Sequence, residues 1–199
     1  MEDRDVLESL LDEALIAHVA IVVDGHPLVL PTSFARDGDR LLLHGSTGSG
    51  WMRTAASGVP ACVAVSALDG LVVARSAFES SMRYRSAVLF GVLGALAGDD
   101  RNRALDIITD KLLPGRRAEV RAPTAREQGQ TLVLAMPIEH WSLKVSEGWP
   151  DDPEEDRAGP AWAGVVPLRT AARSPIPALD LADGIPIPAS VQAFVRARE

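Results

Sequence analysis

The residues best suited to chemistry stand together at His44-Gly45-Ser46-Thr47-Gly48-Ser49-Gly50-Trp51-Met52-Arg53. An apolar run, Leu41-Leu42-Leu43, leads into a Gly/Ser-rich turn, and the turn leads into a short helical segment carrying Arg53. Glycines let successive backbone N–H groups face one concavity, and serine and threonine hydroxyls add donors to it. The first turn of a helix contributes further unpaired N–H groups and the positive end of its dipole. Such a loop either cradles a phosphate or serves as a plain connector without a ligand. It is not a Walker A loop, because no Gly-Lys-Ser/Thr follows at the required spacing. The Rossmann glycine pattern and the Gly-x-Ser-x-Gly nucleophile elbow are absent there as well.

A second polar cluster, Ser80-Ser81-Met82-Arg83-Tyr84-Arg85-Ser86, opens a long apolar stretch that runs on through Phe90-Gly91. On a strand, Tyr84 and Ser86 share one face and Arg83 and Arg85 the other. A mouth lined by Tyr, Ser and Arg suits a flat heteroaromatic ligand with carbonyl and ring-nitrogen acceptors, or else is a solvated strand end. Lys144, in Trp141-Ser142-Leu143-Lys144, is either a cation for a ligand or an exposed strand lysine. His18, His26, His44 and His140 are scattered without metal-ligand spacing, and the single Cys62 would supply a zinc site poorly, so no metal site is expected.

The elements that must position these groups read as mainly β. Val6, Leu10, Leu11, Ala14 and Leu15 make a helical stripe over residues 5–17, after which the periodicity changes. Strands are expected at 18–23, 27–36, 40–45, 61–68 and 71–74. They are punctuated by Asp24-Gly25, Asp37-Gly38 and Asp69-Gly70, dipeptides favoured in tight turns. Short strands joined by such turns pair antiparallel with their neighbours, which disfavours a parallel nucleotide-binding sheet. A short helix is expected at 51–57 and a longer one at 99–113, stopped by Pro114-Gly115. Residues 84–97 form a long strand candidate whose Gly91 and Gly94 suggest the bend that closes a small barrel. Strands at 131–138 and 141–145 complete a six- to seven-stranded antiparallel β-barrel with helices outside it. From Glu147 the chain turns acidic and proline-rich, with Pro175-Ile176-Pro177 and Pro186-Ile187-Pro188, and only 190–198 looks helical again. The division is therefore a barrel domain over 1–146 and an extension over 147–199. The extension either drapes over the barrel or a partner subunit, or is a partly disordered tail.

At 199 residues and 47% apolar content the chain is long enough for a real core. A net charge of −7 argues against general nucleic-acid or anionic-membrane binding, and no apolar run approaches a bilayer's thickness. The acidic start, Met1-Glu2-Asp3-Arg4-Asp5, lacks the basic lead of a secretory signal, and a lone cysteine fits a reducing compartment, so a cytoplasmic location is expected.

These stretches, with Asp69-Gly70-Leu71-Val72-Val73-Ala74-Arg75-Ser76-Ala77-Phe78, Leu113-Pro114-Gly115-Arg116 and Trp162-Ala163-Gly164-Val165-Val166-Pro167, resemble the pyridoxamine 5'-phosphate oxidase-related flavoproteins. The branch is the one that includes the nitroimidazole-resistance proteins, and the resemblance runs in order from about Leu15 to Pro167. It implies a split-barrel homodimer with FMN at the subunit interface. By the resemblance, Pro31, Thr32 and Ser33 lie along the isoalloxazine, and His44, Gly45, Ser46, Ser49, Gly50 and Arg53 reach the ribityl chain and phosphate. Tyr84, Arg85 and Ser86 come from the other subunit, and Lys144 stands near the last strand. Two departures matter. Gly50 stands where many members carry an arginine, whose loss removes roughly 1.5–3 kcal/mol of phosphate contact unless Arg53 replaces it. Ser146 stands where many members carry a second arginine, and the C-terminal residues do not resemble the substrate-binding end of true pyridoxamine phosphate oxidases.

The expectation is thus an FMN-dependent oxidoreductase acting on a small molecule, not a true pyridoxamine 5'-phosphate oxidase. His44 either relays a proton near neutral pH or holds the ribityl chain or phosphate. The alternatives are a non-catalytic binding protein for haem, a deazaflavin or another cofactor on the same barrel, and an apo scaffold whose tail binds a partner.

Overall fold

A computed structural model describes residues 3–199, so the part of the acidic start at Met1 and Glu2 lies outside the described residues. Helix α1 (Arg4–Glu13) is capped by the Asp3 carboxylate, which accepts from the N–H groups of Asp5 and Val6. It buries Leu7, Leu10 and Leu11. The helix stops at Glu13 rather than continuing to Ala17, because from Ile16 the chain alternates with period two and is taken up by β1 (Ile16–Val23). Asp24 and Gly25, with φ of 50° and 78°, turn the chain into β2 (His26–Asp37), and β3 (Arg40–Ser46) follows. Helix α2 (Gly50–Ala56) then leads to β4 (Pro60–Val73) and β5 (Ser81–Val92).

The expected turn at Asp69-Gly70 is not one. Strand β4 continues through it with a register shift between Leu68 and Gly70, and the chain reverses after Val73 instead. The bulge leaves Asp69 free to take an ionic partner, and Gly70 admits a neighbouring backbone, since a Cβ there would lie 2.9 Å from the Val166 carbonyl oxygen. The expected long strand over 84–97 starts earlier and breaks at Leu93, where β6 (Gly94–Ala95) takes a new direction. Gly91 sits at the crossing, with the Met136 side chain 3.0 Å from where a Cβ would be.

Helix α3 (Gly98–Leu112), a 3-10 turn at Arg116–Glu119 and α4 (Ala125–Gly129) precede β7 (Thr131–Pro137) and β8 (His140–Ser146). The extension adds α5 (Glu154–Arg157), β9 (Gly164–Pro167) and α6 (Ala189–Arg196). The sheet runs β6-β7-β3-β2-β1-β4-β5-β8, with β9 paired to β4. Because β6 continues β5 and pairs with β7, the sheet closes on itself, and every pairing is antiparallel. This is a mainly β split barrel with flanking helices. It has nine strands among the described residues where six or seven were expected, because β6 separates from β5 and β9 comes from the extension.

The interior is filled by Phe34, Leu41, Leu43, Val63, Leu89, Leu134 and Met136, sealed by α1 and by Met52 and Ala55 of α2. A smaller layer lies outside the sheet, where Ala104 and Ile108 of α3 cover Ala35, Leu42 and Val133. Lys111 at the end of α3 donates to the Leu11 carbonyl at 2.7 Å and to that of Asp12, capping α1. Burial lowers its pKa to about 8.

Candidate flavin site

Strand register decides which side chains share the surface. Ala87 and Leu89 are buried in the interior, so Tyr84, Ser86, Val88 and Phe90 project outward. Opposite them stand Leu68, Ser66, Ala64 and Cys62 on β4, and Ser146, Lys144, Ser142 and His140 on β8. The same outer layer continues through Ala64 to His18, and from His18 to Pro31. Ser33 belongs to it too, opposite Ile16. Thr32 does not: it faces inward, opposite the fully buried Ala17.

The β3 residue that follows Leu43 is His44, opposite Val133 in the outer layer. Its Nδ1 is buried and has no hydrogen-bond partner. Burial lowers the pKa of the ring, which keeps the imidazole neutral at pH 7. A buried nitrogen without a partner costs free energy, and at the rim of a surface face it offers a place for a ligand's polar group.

The loop after β3 differs in detail from a cradle of free amides. The Thr47 N–H donates to the Gln130 carbonyl at 3.0 Å, the Gly48 N–H to Ser46 Oγ at 3.1 Å, and the Ser49 N–H to the Ser46 carbonyl at 2.9 Å. These bonds rigidify the turn. The amides left without acceptors among the described residues are those of Gly50, Trp51 and Met52, the first turn of α2, because Ser49 makes no side-chain cap. A Cβ at Gly50 would meet nothing within 4 Å, so the space above that turn is open. Arg53 folds back, donating Nη1 to the Thr47 carbonyl at 3.0 Å, and fastens the loop to the helix. Met52 packs under Gly45, where a Cβ would come within 3.3 Å of its side chain.

Across the face, Lys144 Nζ lies 5.5 Å from the centre of the Tyr84 ring, and the Tyr84 hydroxyl raises the lysine's pKa. Arg85 lies on the other side of β5 and is taken up within the chain. Its Nε and Nη2 donate to Asp69 at 2.9 and 2.7 Å, and its Nη1 donates to Glu13 at 2.8 Å. The hydrogen bonds to Asp69 and then Glu13 hold its pKa well above the usual arginine value. Next to it an open cleft of about 370 Å³ is lined by Asp69, Arg83, Arg85, Ser146, Glu147 and Trp149, with the Arg83 guanidinium 4.7 Å over the Trp149 ring.

The fold thus brings Pro31, Ser33, His44, Gly45, Ser46, Ser49, Gly50, Tyr84, Ser86 and Lys144 to one end of the barrel's outer side. Thr32 and Arg85 point elsewhere, and Arg53 serves the loop. Sequence reasoning missed His18, Ser66 and Ser142, which share this face by register alone. The alternation Ala17-His18-Val19-Ala20-Ile21 was the available signal for His18, since buried Val19 and Ile21 force it outward. Asp69 was hidden by its resemblance to a turn. Among the described residues no group of three His, Cys, Asp or Glu side chains is placed to hold a metal ion.

The arrangement has relatives. At 53% identity and a TM-score of 0.95, the chain is similar to the FAD and heme binding protein from Mycobacterium smegmatis, the likeness covering 98% of this chain and 96% of that one. It is 34% identical to the flavocytochrome Anf3 from Azotobacter vinelandii, with a TM-score of 0.89 over 97% of this chain and 90% of that one. A putative 5-nitroimidazole antibiotic resistance protein from Bacteroides thetaiotaomicron shares the fold at 23% identity and a TM-score of 0.62, over 72% of this chain and 84% of that one. Comparison with curated proteins gives no match. The family model described as pyridoxamine 5'-phosphate oxidase matches residues 3–145, and the chain belongs to that family.

Proposed function

We propose that the protein is a redox flavoprotein that binds a flavin at the His44 end of the outer sheet face and carries a haem beside it. The observation that carries the reading is the convergence at that end. Unsatisfied first-turn amides, an orphaned buried imidazole nitrogen and a Tyr-Ser-Lys surface are the donor set that a phosphorylated flat heteroaromatic needs. The resemblance in sequence implied FMN. The two near-full-length likenesses are to proteins whose names carry FAD and heme or a flavocytochrome, and they favour FAD with haem. The haem alternative therefore joins the flavin reading rather than replacing it.

When bound, the flavin supplies hydride and electron chemistry, and the haem a one-electron relay. The chain's own part is binding and tuning. The amides of Gly50, Trp51 and Met52 would hold the phosphate, and the open space over Gly50 removes the clash that a side chain would bring. Ser33 and Ser86 would offer hydroxyls to the ring's polar edge, while Lys144, raised by Tyr84, would keep a positive charge there. His44, neutral at pH 7, would accept or donate through Nδ1 without adding charge. His18 and His140, both exposed on the outer face, are the imidazoles available to ligate a haem iron. The reaction class is electron transfer from a nicotinamide or other donor through the flavin. The assembly is two copies facing each other in the cytoplasm, with the cofactors between them.

The test is the absorption spectrum of the purified protein, followed by denaturation and chromatography of the released cofactors. Flavin and Soret bands with FAD released are expected. A colourless protein that takes up neither flavin nor haem overturns the reading. FMN released without haem would restore the simpler flavin expectation.

A further inference from the structure

Beyond its root, where Arg83 Nε donates to the Gly148 carbonyl at 3.0 Å, three further contacts fasten the extension to the barrel. The Asp152 carboxylate, buried, accepts from the Arg75 N–H at 2.6 Å and from Arg75 Nη1 at 2.8 Å. Strand β9 pairs with β4, and the Leu168 N–H donates to the Asp69 carbonyl at 3.0 Å. Helix α6 is held by Glu119, which accepts from the Ser190 N–H at 2.9 Å and from its hydroxyl.

Between the last two anchors, every residue from 173 to 187 is exposed. This is an odd fate for its composition. Ile176 is 92% exposed and Leu179 108%, and Leu181, Ile185 and Ile187 are also in water. Prolines at 175, 177 and 186 restrict the segment, which also turns at 179–180 and 183–184, so part of the chain entropy of docking is already removed. A monomer rarely keeps so much apolar surface together unless something covers it.

The same chain carries a second uncovered apolar surface, the outer sheet face, where Ile16, Val22, Val29, Leu68, Phe90 and Val92 are exposed. The charges are complementary: the loop carries Asp180 and Asp183 against Arg173, a net negative charge, and the face carries Lys144. The β9 anchor joins the barrel beside Asp69, next to Leu68 and Tyr84, at the end where His44 and Ser33 lie. Within its own chain neither Ile176 nor Leu179 is covered.

We infer that residues 173–187 are an exchanged arm: in a pair of copies, the loop of one lies on the outer sheet face of the other and walls its cofactor end. Each site is then incomplete without the partner, whose Ile176 and Leu179 exclude water from it. The arm itself stands on exposure, charge and anchoring, and only its role as a cofactor wall rests on the proposed function.

The experiment mixes 14N- and 15N-labelled full-length chains with Leu179 replaced by p-benzoylphenylalanine, then irradiates and maps the cross-linked peptides. Mixed-isotope links to peptides of β1, β4, β5 or β8 are expected. Links within one chain, links to other elements, or no links overturn the inference. Because Ile176 and Leu179 are fully in water within one chain, the double variant Ile176→Asp, Leu179→Asp leaves the barrel intact. Sedimentation should then show dimer dissociation strengthened at least tenfold, and unchanged dimerisation counts against the arm. The links are read without reference to bound cofactor, so a protein that cross-links between chains yet takes up no flavin keeps the arm and loses the flavin reading.

Discussion

His44 carries the imidazole that the proposed function sets nearest the ligand, and its burial makes a pH prediction with a definite sign. Its folded pKa lies below the unfolded value of 6.5. Above that value both states are neutral there and the residue adds no pH dependence. As pH falls below it, the unfolded chain gains a proton that the folded chain resists, so stability falls. Denaturant unfolding of the apo-protein should show this loss on going from pH 7 to pH 5.5 (roughly the span over which a free imidazole charges), and His44→Gln should flatten it. An identical slope in the variant would place the titration elsewhere. Tyr84 and Arg85, adjacent in sequence and joint members of the expected site, should separate in experiment. Tyr84→Ala removes an outward ring beside Lys144 and should weaken flavin binding about tenfold with little change in stability. Arg85→Ala breaks the bonds to Asp69 and Glu13 on the other side of the strand, and should cost about 1 kcal/mol of stability with flavin affinity nearly unchanged. Equal effects of the two on flavin titration would refute this division. The strand alternation that separates the pair was readable from the sequence. The carboxylates that claim Arg85 were not, because Glu13 and Asp69 are far from it in the chain and one of them looked like part of a turn.

At the scale of elements, Gly70 makes the sharpest case. A dipeptide that favours turns instead sits at a bulge in a continuous strand, because the glycine admits the β9 backbone and the bulge frees Asp69. Turn propensity is local, whereas the demand for space came from a segment that arrives almost a hundred residues later. Gly70→Ala should displace β9, destabilising the protein by about 1–3 kcal/mol. It should also speed proteolysis of the extension before the barrel, and a variant as resistant as the parent would contradict the packing. Acid should act on the same extension. Burial opposes the charge on Asp152, but the bonds from Arg75 outweigh it and lower the pKa, and Ser190 lowers that of Glu119. Both anchors are complete above the unfolded carboxylate values of 3.8 and 4.5 and are lost as pH falls through the lowered folded values. Limited pepsin digestion through that range should therefore cut the extension first. The hairpins at Asp24-Gly25 and Asp37-Gly38, the loop after β3 and the helix over 98–112 were legible, since each is set by local pattern and stop signals. Strand β9 was not, since four residues in a proline-rich stretch pair only because β4 offers them an edge.

For the whole molecule, strand order in the sheet is what gathers scattered motifs into a candidate site. Because β3, β2, β1, β4, β5 and β8 are successive neighbours in one sheet, residues from 31 to 144 share a face. The antiparallel barrel was foreseeable from turns and alternation, and family resemblance pointed to the loop and to the Tyr-Arg-Ser strand. Which side chains face outward together depended on pairing register, and no single strand's sequence reveals that. The most direct check of the central claim is amide hydrogen exchange of the full chain with and without saturating FAD. Slower exchange confined to peptides covering 31–33, 44–53 and 84–86 is the predicted result. No change on adding FAD, or protection centred instead on the Arg83–Trp149 cleft, would contradict it.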